Sequence, residues 1–136
     1  MGSGTVILLD THVLIWDALA PTLLSPRARQ AITQANREDG VMICDISLWE
    51  IAMLLQKGRV QVTTDTLTFI NLLLQANKST LQPISPQIAA LAAQLPRSIN
   101  QDPADRLIAA TAISEGIPLV TADRNLQAAA QLVTLW

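Results

Sequence analysis

The sequence contains few cysteines and few aromatic residues: one cysteine, three tryptophans, one phenylalanine and no tyrosine in 136 residues. A single cysteine, Cys44, excludes an intramolecular disulfide and a zinc site built from cysteines. Cys44 stands at the end of an apolar run, residues 41–44, with no basic neighbour. We therefore expect a buried side chain and not a reactive nucleophile.

Long hydrophobic runs are also missing. Half of the residues are hydrophobic, but runs such as residues 6–9 and 72–74 are far shorter than the roughly 20 residues that cross a bilayer. The first four residues have neither the basic nor the apolar region of a signal peptide. We expect a single domain over residues 1–136, with 1–4 as a flexible lead-in, in the cytoplasm and without membrane contact.

Short apolar runs rich in β-branched residues alternate with longer helical patterns. Five such runs are predicted to be strands: residues 6–9, 41–46, 81–84, 118–121 and 132–135. Runs that are apolar on both faces and separated by helices are typical of a parallel sheet covered on each side. The sequence therefore predicts an α/β fold.

Helix boundaries are marked by capping residues. Ser25 and Ser85 each precede a proline, a pattern typical of the first turn of a helix. Asp65 is a further candidate cap for a helix over residues 66–75. Gly58 and Gly116 stand where two helices are expected to end.

Carboxylates follow the predicted strands. Asp10 comes directly after the first strand, Glu50 lies one helical turn beyond the second, and Asp123 follows the fourth. Asp105 opens the helix that precedes the fourth strand. Ligands bind at the carboxyl ends of parallel strands, and carboxylates that meet there repel one another unless a hard cation such as Mg²⁺ lies between them. The pattern predicts a magnesium site.

Each of these acids also has a purely structural interpretation. Asp10 and Asp123 could cap the helices that follow them, and Glu50 fits a capping box that begins at Ser47. Structural caps and ion pairs gather acidic groups as well as active sites do. The coincidence of four acids from four segments is what favours the metal site.

The residues next to the four acids are candidates for orienting them. Asp102 precedes Pro103 and is expected to cap the helix, so Asp105 is the preferred ligand and Asp102 a supporting group. Thr11, Thr121 and Asn125 could hydrogen-bond the carboxylates or a water molecule, as groups around metal ligands commonly do.

Four segments, taken in order, resemble the motifs of bacterial PIN-domain VapC toxins: residues 8–16, 47–52, 102–112 and 119–123. The resemblance spans nearly the whole chain. It implies a three-layer α/β/α fold with a central parallel sheet of about five strands, RNA cleavage with Mg²⁺ or with Mn²⁺ as a substitute, a homodimer, and inhibition by a VapB-type antitoxin. The metal-binding acids of the family fall on Asp10, Glu50, Asp105 and Asp123.

Two positions near the motifs bear on proton transfer. Many relatives carry a histidine just before the Asp-Pro pair, where this chain has Asn100 and Gln101. His12, the only histidine, is expected to point away from Asp10 if a helix begins there, and it is left out of the catalytic set.

The reaction implied is hydrolysis of RNA that leaves a 5′-phosphate and a 3′-hydroxyl. The net charge of −2 lacks the basic surplus of most nucleic-acid-binding proteins, but acids gathered in one pocket would leave the remaining surface mildly basic. Candidate RNA contacts are Lys57, Arg59, Arg97, Arg106 and Arg124.

Two alternatives stay open at this point. One is a Mg²⁺-dependent DNA nuclease or phosphatase on the same scaffold, and the other is a catalytically idle binding module. Trp16 and Trp49 could stack on an unpaired base, although a place in the core or in a dimer contact is the commoner role of such residues.

Overall fold

The computed structural model describes residues 6–136 and contains a parallel sheet of five strands. The strands are β1 (Ile7–Leu9), β2 (Val41–Cys44), β3 (Ser79–Gln82), β4 (Leu119–Val120) and β5 (Thr134–Leu135), in the order β3-β2-β1-β4-β5. Every neighbouring pair is parallel. The predicted parallel α/β fold is confirmed, and the predicted lead-in, residues 1–4, lies outside the described residues.

Helices cover both faces of the sheet. They are α1 (Thr11–Leu19), α2 (Pro26–Arg37), α3 (Ile46–Gln56), α4 (Thr66–Ala76), α5 (Pro86–Gln94), α6 (Pro103–Glu115) and α7 (Arg124–Gln127), with a 3₁₀ turn at Pro21–Leu23. Ile7 and Leu9 of β1 pack into one core with residues of α1, α2, α3 and α4. Leu8 packs on the opposite face with residues of α5 and α6. This arrangement is the predicted three-layer α/β/α fold.

None of the helices described in residues 6–136 is both long and apolar enough to cross a membrane. Cys44 is fully buried in the core that contains Leu8, as its apolar surroundings in the sequence predicted. Burial raises the pKa of the Cys44 thiol, which keeps the residue in its neutral and unreactive form.

The predicted helix caps are present. Ser25 Oγ accepts from the Ala28 amide at 3.0 Å, Ser85 Oγ accepts from the Ile88 amide at 3.1 Å, and Asp65 Oδ1 accepts from the Thr68 amide at 2.8 Å. At the end of α6, Gly116 has a φ of 65°, a left-handed conformation that glycine adopts without steric cost.

All five predicted strands have different bounds in the structure: four are shorter than predicted, and β3 is shifted toward the N-terminus. β2 ends at Cys44, since α3 already begins at Ile46. β3 covers Ser79–Gln82 instead of 81–84, because Pro83 has no N–H with which to continue the ladder. The strand begins instead at the polar residues Ser79 and Thr80. Polar residues are acceptable there because β3 lies at the edge of the sheet.

Candidate metal centre at the carboxyl edge of the sheet

The acids meet beside the central strand β1. In the sheet, β2 and β3 lie on one side of β1, and β4 and β5 lie on the other. The connections that follow β1 and β4 therefore lead away from each other, which opens a crevice at the carboxyl end of β1. A cavity of about 360 Å³ lies there, lined by Asp10, His12, Val13, Trp16, Glu50, Asp102, Asp105, Ala122 and Asp123. The structure thus brings all four predicted acids into one cavity, together with Asp102.

Asp10 is buried and held on both of its oxygens. Oδ1 accepts from the Thr11 amide at 2.9 Å and Oδ2 accepts from the Thr121 hydroxyl at 2.6 Å. The same Thr121 oxygen accepts from the Asp123 amide at 3.0 Å. Burial raises the pKa of Asp10, although these hydrogen bonds oppose the shift. Thr121 therefore ties together the two acids that follow β1 and β4.

Glu50 is positioned by a contact between α1 and α3. The Thr11 hydroxyl donates its one hydrogen to Glu50 Oε1, so the Ser47 hydroxyl, 2.8 Å from Thr11 Oγ1, is the donor to Thr11. Thr11 and Ser47 are both buried. The capping-box interpretation is wrong, because Ser47 lies inside α3 and its hydroxyl faces Thr11. Burial raises the pKa of Glu50, and the charges of Asp102 and Asp10 add to the shift.

Asp102 and Asp105 stand at the start of α6. Asp102 Oδ1 caps the helix by accepting from the amides of Ala104 at 2.9 Å and Asp105 at 3.2 Å. One carboxylate oxygen from each of Glu50, Asp102 and Asp105 also lies within 4.8 Å of the other two. Asp102 is therefore as well placed for a cation as Asp105, since capping uses only one of its oxygens.

Asp105 has the most perturbed carboxylate of the cavity. Burial, followed by the negative charges of Asp10, Asp102, Glu50 and Asp123, raises its pKa to about 7. The shift arises first from the loss of solvent around the carboxyl group and then from repulsion by the neighbouring carboxylates. Such groupings are typical of functional sites, and binding a cation would relieve the repulsion.

Sequence reasoning missed Asn100 as a contact of the acids. Its side-chain Nδ2 donates to Asp105 Oδ2 at 3.1 Å and to Asp123 Oδ2 at 2.9 Å. Its backbone amide donates to Asn125 Oδ1 at 2.8 Å, so Asn125 supports the site through Asn100. The one signal in the sequence was the position of Asn100, two residues before Asp102.

His12 does not point away from the acids as expected. It is exposed, lines the cavity, and its ring centroid lies 5.9 Å from that of Trp16. Helix α1 begins at Thr11, so His12 stands in its first turn at the rim of the crevice. Trp16 lines the same cavity, whereas Trp49 is 60% exposed on α3.

Of the five candidate RNA contacts, Arg106 has a structural role instead. Its guanidinium donates to backbone carbonyls between α5 and α6, those of Ala92, Leu95, Pro96, Ile99 and Asn100. It therefore shapes the loop that carries Asn100, and we withdraw it as an RNA contact. Lys57, Arg59, Arg97 and Arg124 are exposed, but none of them lines the cavity.

The donor set suits a hard cation. Mg²⁺ takes oxygen ligands at about 2.0–2.1 Å, so oxygens on one ion lie within about 4.2 Å of each other. The carboxylate oxygens of Glu50, Asp102 and Asp105 lie within 4.8 Å of one another, so small side-chain movements would bring them within this limit. The residues present therefore fit a divalent cation.

Comparison with known proteins places these features in a family. The sequence model of the PIN domain family matches residues 7–132 of this chain. Ribonuclease VapC22 of Mycobacterium tuberculosis is 40% identical over 134 residues, which are 97% of this chain and 99% of that protein.

Solved structures share the fold at lower sequence identity. VapBC2 from Rickettsia felis, solved bound to a DNA fragment from its promoter, superimposes with a TM-score of 0.73 at 16% identity over 95% of this chain and 96% of that chain. DNA-bound VapBC from Salmonella typhimurium gives a TM-score of 0.68 at 18% identity over 94% and 95% of the two chains.

Proposed function

The chain belongs to the PIN-domain family, among the relatives of VapC ribonucleases, and from this premise we propose that it is a metal-dependent endoribonuclease toxin. One observation supports the proposal most strongly: carboxylates from four separate elements line one cavity beside β1. We further propose that residues 1–136 form a single PIN-like domain that acts in the cytoplasm.

Glu50, Asp102 and Asp105 would hold the cation, with Asp10 and Asp123 beside them. A bound Mg²⁺, or Mn²⁺ in its place, supplies Lewis-acid activation of the phosphate and of the attacking water. Water adds to phosphorus and the bond to the 3′-oxygen breaks, which leaves a 5′-phosphate and a 3′-hydroxyl. The family assignment favours RNA over DNA or small phosphoesters as substrate.

The protein's own residues prepare this site in two ways. Thr121, Thr11 and Asn100 fix the carboxylates of Asp10, Glu50 and Asp123 by hydrogen bonds, so little reorganisation is needed when charge develops. The crowded negative charge also repels an RNA phosphate until a cation offsets it. We therefore expect cation and RNA to bind cooperatively, with Lys57, Arg59, Arg97 and Arg124 as the candidate contacts beyond the cavity.

The test of this proposal is the chemistry of the cut ends. The purified protein is expected to cleave single-stranded or looped RNA in Mg²⁺ or Mn²⁺, to stop in EDTA, and to leave 5′-phosphate ends. Cleavage that continues undiminished in EDTA would contradict the metal mechanism. Cleavage of deoxyoligonucleotides with RNA left intact would favour the DNA nuclease, and no metal-dependent cleavage of any phosphoester would favour the idle module.

The partners follow from the same family assignment. We propose that the protein forms a homodimer and is neutralised by a VapB-type antitoxin. The solved neighbours from Rickettsia felis and Salmonella typhimurium are VapBC complexes. Among the described residues, large exposed apolar side chains are available for such contacts: Leu19, Leu23, Trp49, Leu67, Leu72, Leu81, Ile84 and Val133.

Expression of the protein alone is expected to arrest growth, and co-expression of the antitoxin encoded beside it is expected to restore growth. The Asp10→Asn variant, produced at the same level, should be harmless because it lacks a cavity carboxylate. Viable counts and immunoblots of the two proteins measure this. Arrest that persists with Asp10→Asn would mean toxicity without catalysis.

A further inference from the structure

We propose that Asn100 is a positioning residue that links Asp105 to Asp123 and so orients the Asp105 carboxylate for a divalent cation, without itself binding the cation. This inference rests on the proposed function, because it concerns the affinity of the same site. Nothing in the motifs around Asp105 and Asp123 assigns a role to this side chain. Its geometry does, because one amide group contacts both carboxylates.

The contacts define the orientation of the amide. Nδ2 lies 3.1 Å from Asp105 Oδ2 and 2.9 Å from Asp123 Oδ2. Both acceptors are carboxylate oxygens, so the NH₂ group and not the carbonyl must face them, because an oxygen in that place would be repelled by both. The two hydrogens of the NH₂ group are thereby used, one for each acid.

A neutral amide is well suited to this place. A serine or threonine hydroxyl has a single hydrogen and can donate to one acid only. A lysine could donate to both, but its positive charge would compete with the cation for the same carboxylates. Asn100 supplies two donors and no net charge, so it links Asp105 to Asp123 and leaves their negative charge available.

Asn100 is itself fixed at both of its backbone polar atoms. Its backbone amide donates to Asn125 Oδ1 at 2.8 Å, and its carbonyl accepts from Arg106 Nη1 at 3.5 Å. Asn125 in turn donates from Nδ2 to the Ser98 carbonyl at 2.8 Å and from its backbone amide to Asp123 Oδ1 at 2.8 Å. The amide group therefore projects from an anchored loop, and the loop between α5 and α6 is coupled to both acids.

Asn100→Leu tests the proposal, because leucine has nearly the same shape and no donor. The matched control is Asn36→Leu: Asn36 is also half-buried and also makes two side-chain contacts, donating to Asn77 Oδ1 and accepting from the Lys78 amide, each at 2.8 Å. Mn²⁺ binding is measured on the purified full-length proteins by electron paramagnetic resonance of the free ion. RNA cleavage is then followed as a function of Mn²⁺ concentration.

We expect Asn100→Leu to weaken Mn²⁺ binding by about 10-fold or more, the usual effect of losing a group that orients metal ligands. Asn36→Leu should stay within about 2-fold of the wild type. At saturating Mn²⁺ the cleavage rate of Asn100→Leu should recover to within about 3-fold of the wild-type rate, since the cation then holds the acids itself. A substituted metal ligand would not recover in this way.

Several outcomes would overturn the proposal. Wild-type Mn²⁺ affinity in Asn100→Leu would show that the amide does not orient Asp105 for the cation. Equal weakening of Mn²⁺ binding in Asn36→Leu would show that the effect comes from a general loss of stability. If Asn100→Leu does not fold, Asn100→Ala replaces it in the same comparison. If the wild type binds no Mn²⁺ at all, the proposed metal-dependent function is wrong, and the proposed role of Asn100 is wrong with it.

Discussion

Replacement of Asp105 by asparagine is expected to lower the rate of RNA cleavage by at least about 100-fold at saturating Mg²⁺. The side chain keeps its size and loses the charge that a cation would bind. Asp10→Asn, Glu50→Gln and Asp123→Asn should have effects of similar size, because their carboxylates line the same cavity. Cleavage of a labelled RNA oligonucleotide under single-turnover conditions gives the rates.

Two aspartates outside the cavity provide the controls. Asp65 caps α4, and asparagine is an equally good cap, so Asp65→Asn should leave the rate nearly unchanged. Asp17 accepts from Asn77 at 2.9 Å, so Asp17→Asn should lower stability slightly without a loss of rate. If Asp17→Asn were as damaging as Asp105→Asn, the assignment of the site to this cavity would be wrong.

The metal-free protein is expected to become less stable as the pH rises from about 4 to about 7. The pKa of Asp105 is about 7 in the folded protein, against 3.8 for an ordinary aspartate. Between these values the folded state keeps a proton that the unfolded state has lost, so the free energy of unfolding falls with increasing pH. The raised pKa values of Asp10 and Glu50 act in the same direction.

Mg²⁺ should oppose this loss of stability. At tenfold above Kd it adds about 1.4 kcal/mol to the free energy of unfolding, which raises Tm by roughly 3 to 6 °C in a domain of this size. Asp105→Asn should raise Tm in EDTA at pH 8, flatten the pH dependence and shrink the Mg²⁺ increment. Asp10→Asn is a poorer test, since both oxygens of Asp10 accept hydrogen bonds.

Thermal scans of the wild type and Asp105→Asn in EDTA and in Mg²⁺, at several pH values, measure these effects. Lower Tm in metal-free Asp105→Asn together with an unchanged Mg²⁺ increment would mean that Asp105 is only a favourable negative charge in the first turn of α6. Losing a cap or its charge lowers stability by about 1 kcal/mol, so the two interpretations predict opposite signs.

The elements of the fold could be predicted wherever a local sequence pattern alone determines them. The apolar runs of β1 and β2 and the Ser-Pro caps of α2 and α5 are local patterns, and the structure contains them. β3 was misplaced because the apolar residues Leu81 and Ile84 suggested a strand across Pro83. In the structure its bounds follow from pairing with β2, from Val41↔Ser79 to Cys44↔Gln82, which no local pattern contains.

The sequence was sufficient to predict the acidic residues of the site, but not the residues that hydrogen-bond to them. Asp10 directly follows β1, Asp123 follows β4 closely, and Glu50 and Asp105 lie near the starts of α3 and α6, so the place of each acid in the fold follows from the element beside it. Ser47 and Asn100 act on partners 36 and 23 residues away, Thr11 and Asp123, and the sequence alone does not show which distant groups meet. Asp102 was set aside because one role was found for it, although a carboxylate has two oxygens and can serve a helix and a cavity together.

The pairing of β1 with β4 has a consequence for the order in which a ribosome makes this protein. Leu8 pairs with Leu119, so the strand that completes the cavity emerges long after the strand that begins it. A nascent chain that has passed Asp105 still lacks Thr121 and Asp123, which bind Asp10 and Asn100. The carboxylate cavity therefore cannot be complete until the segment that contains Thr121 and Asp123 has left the ribosome.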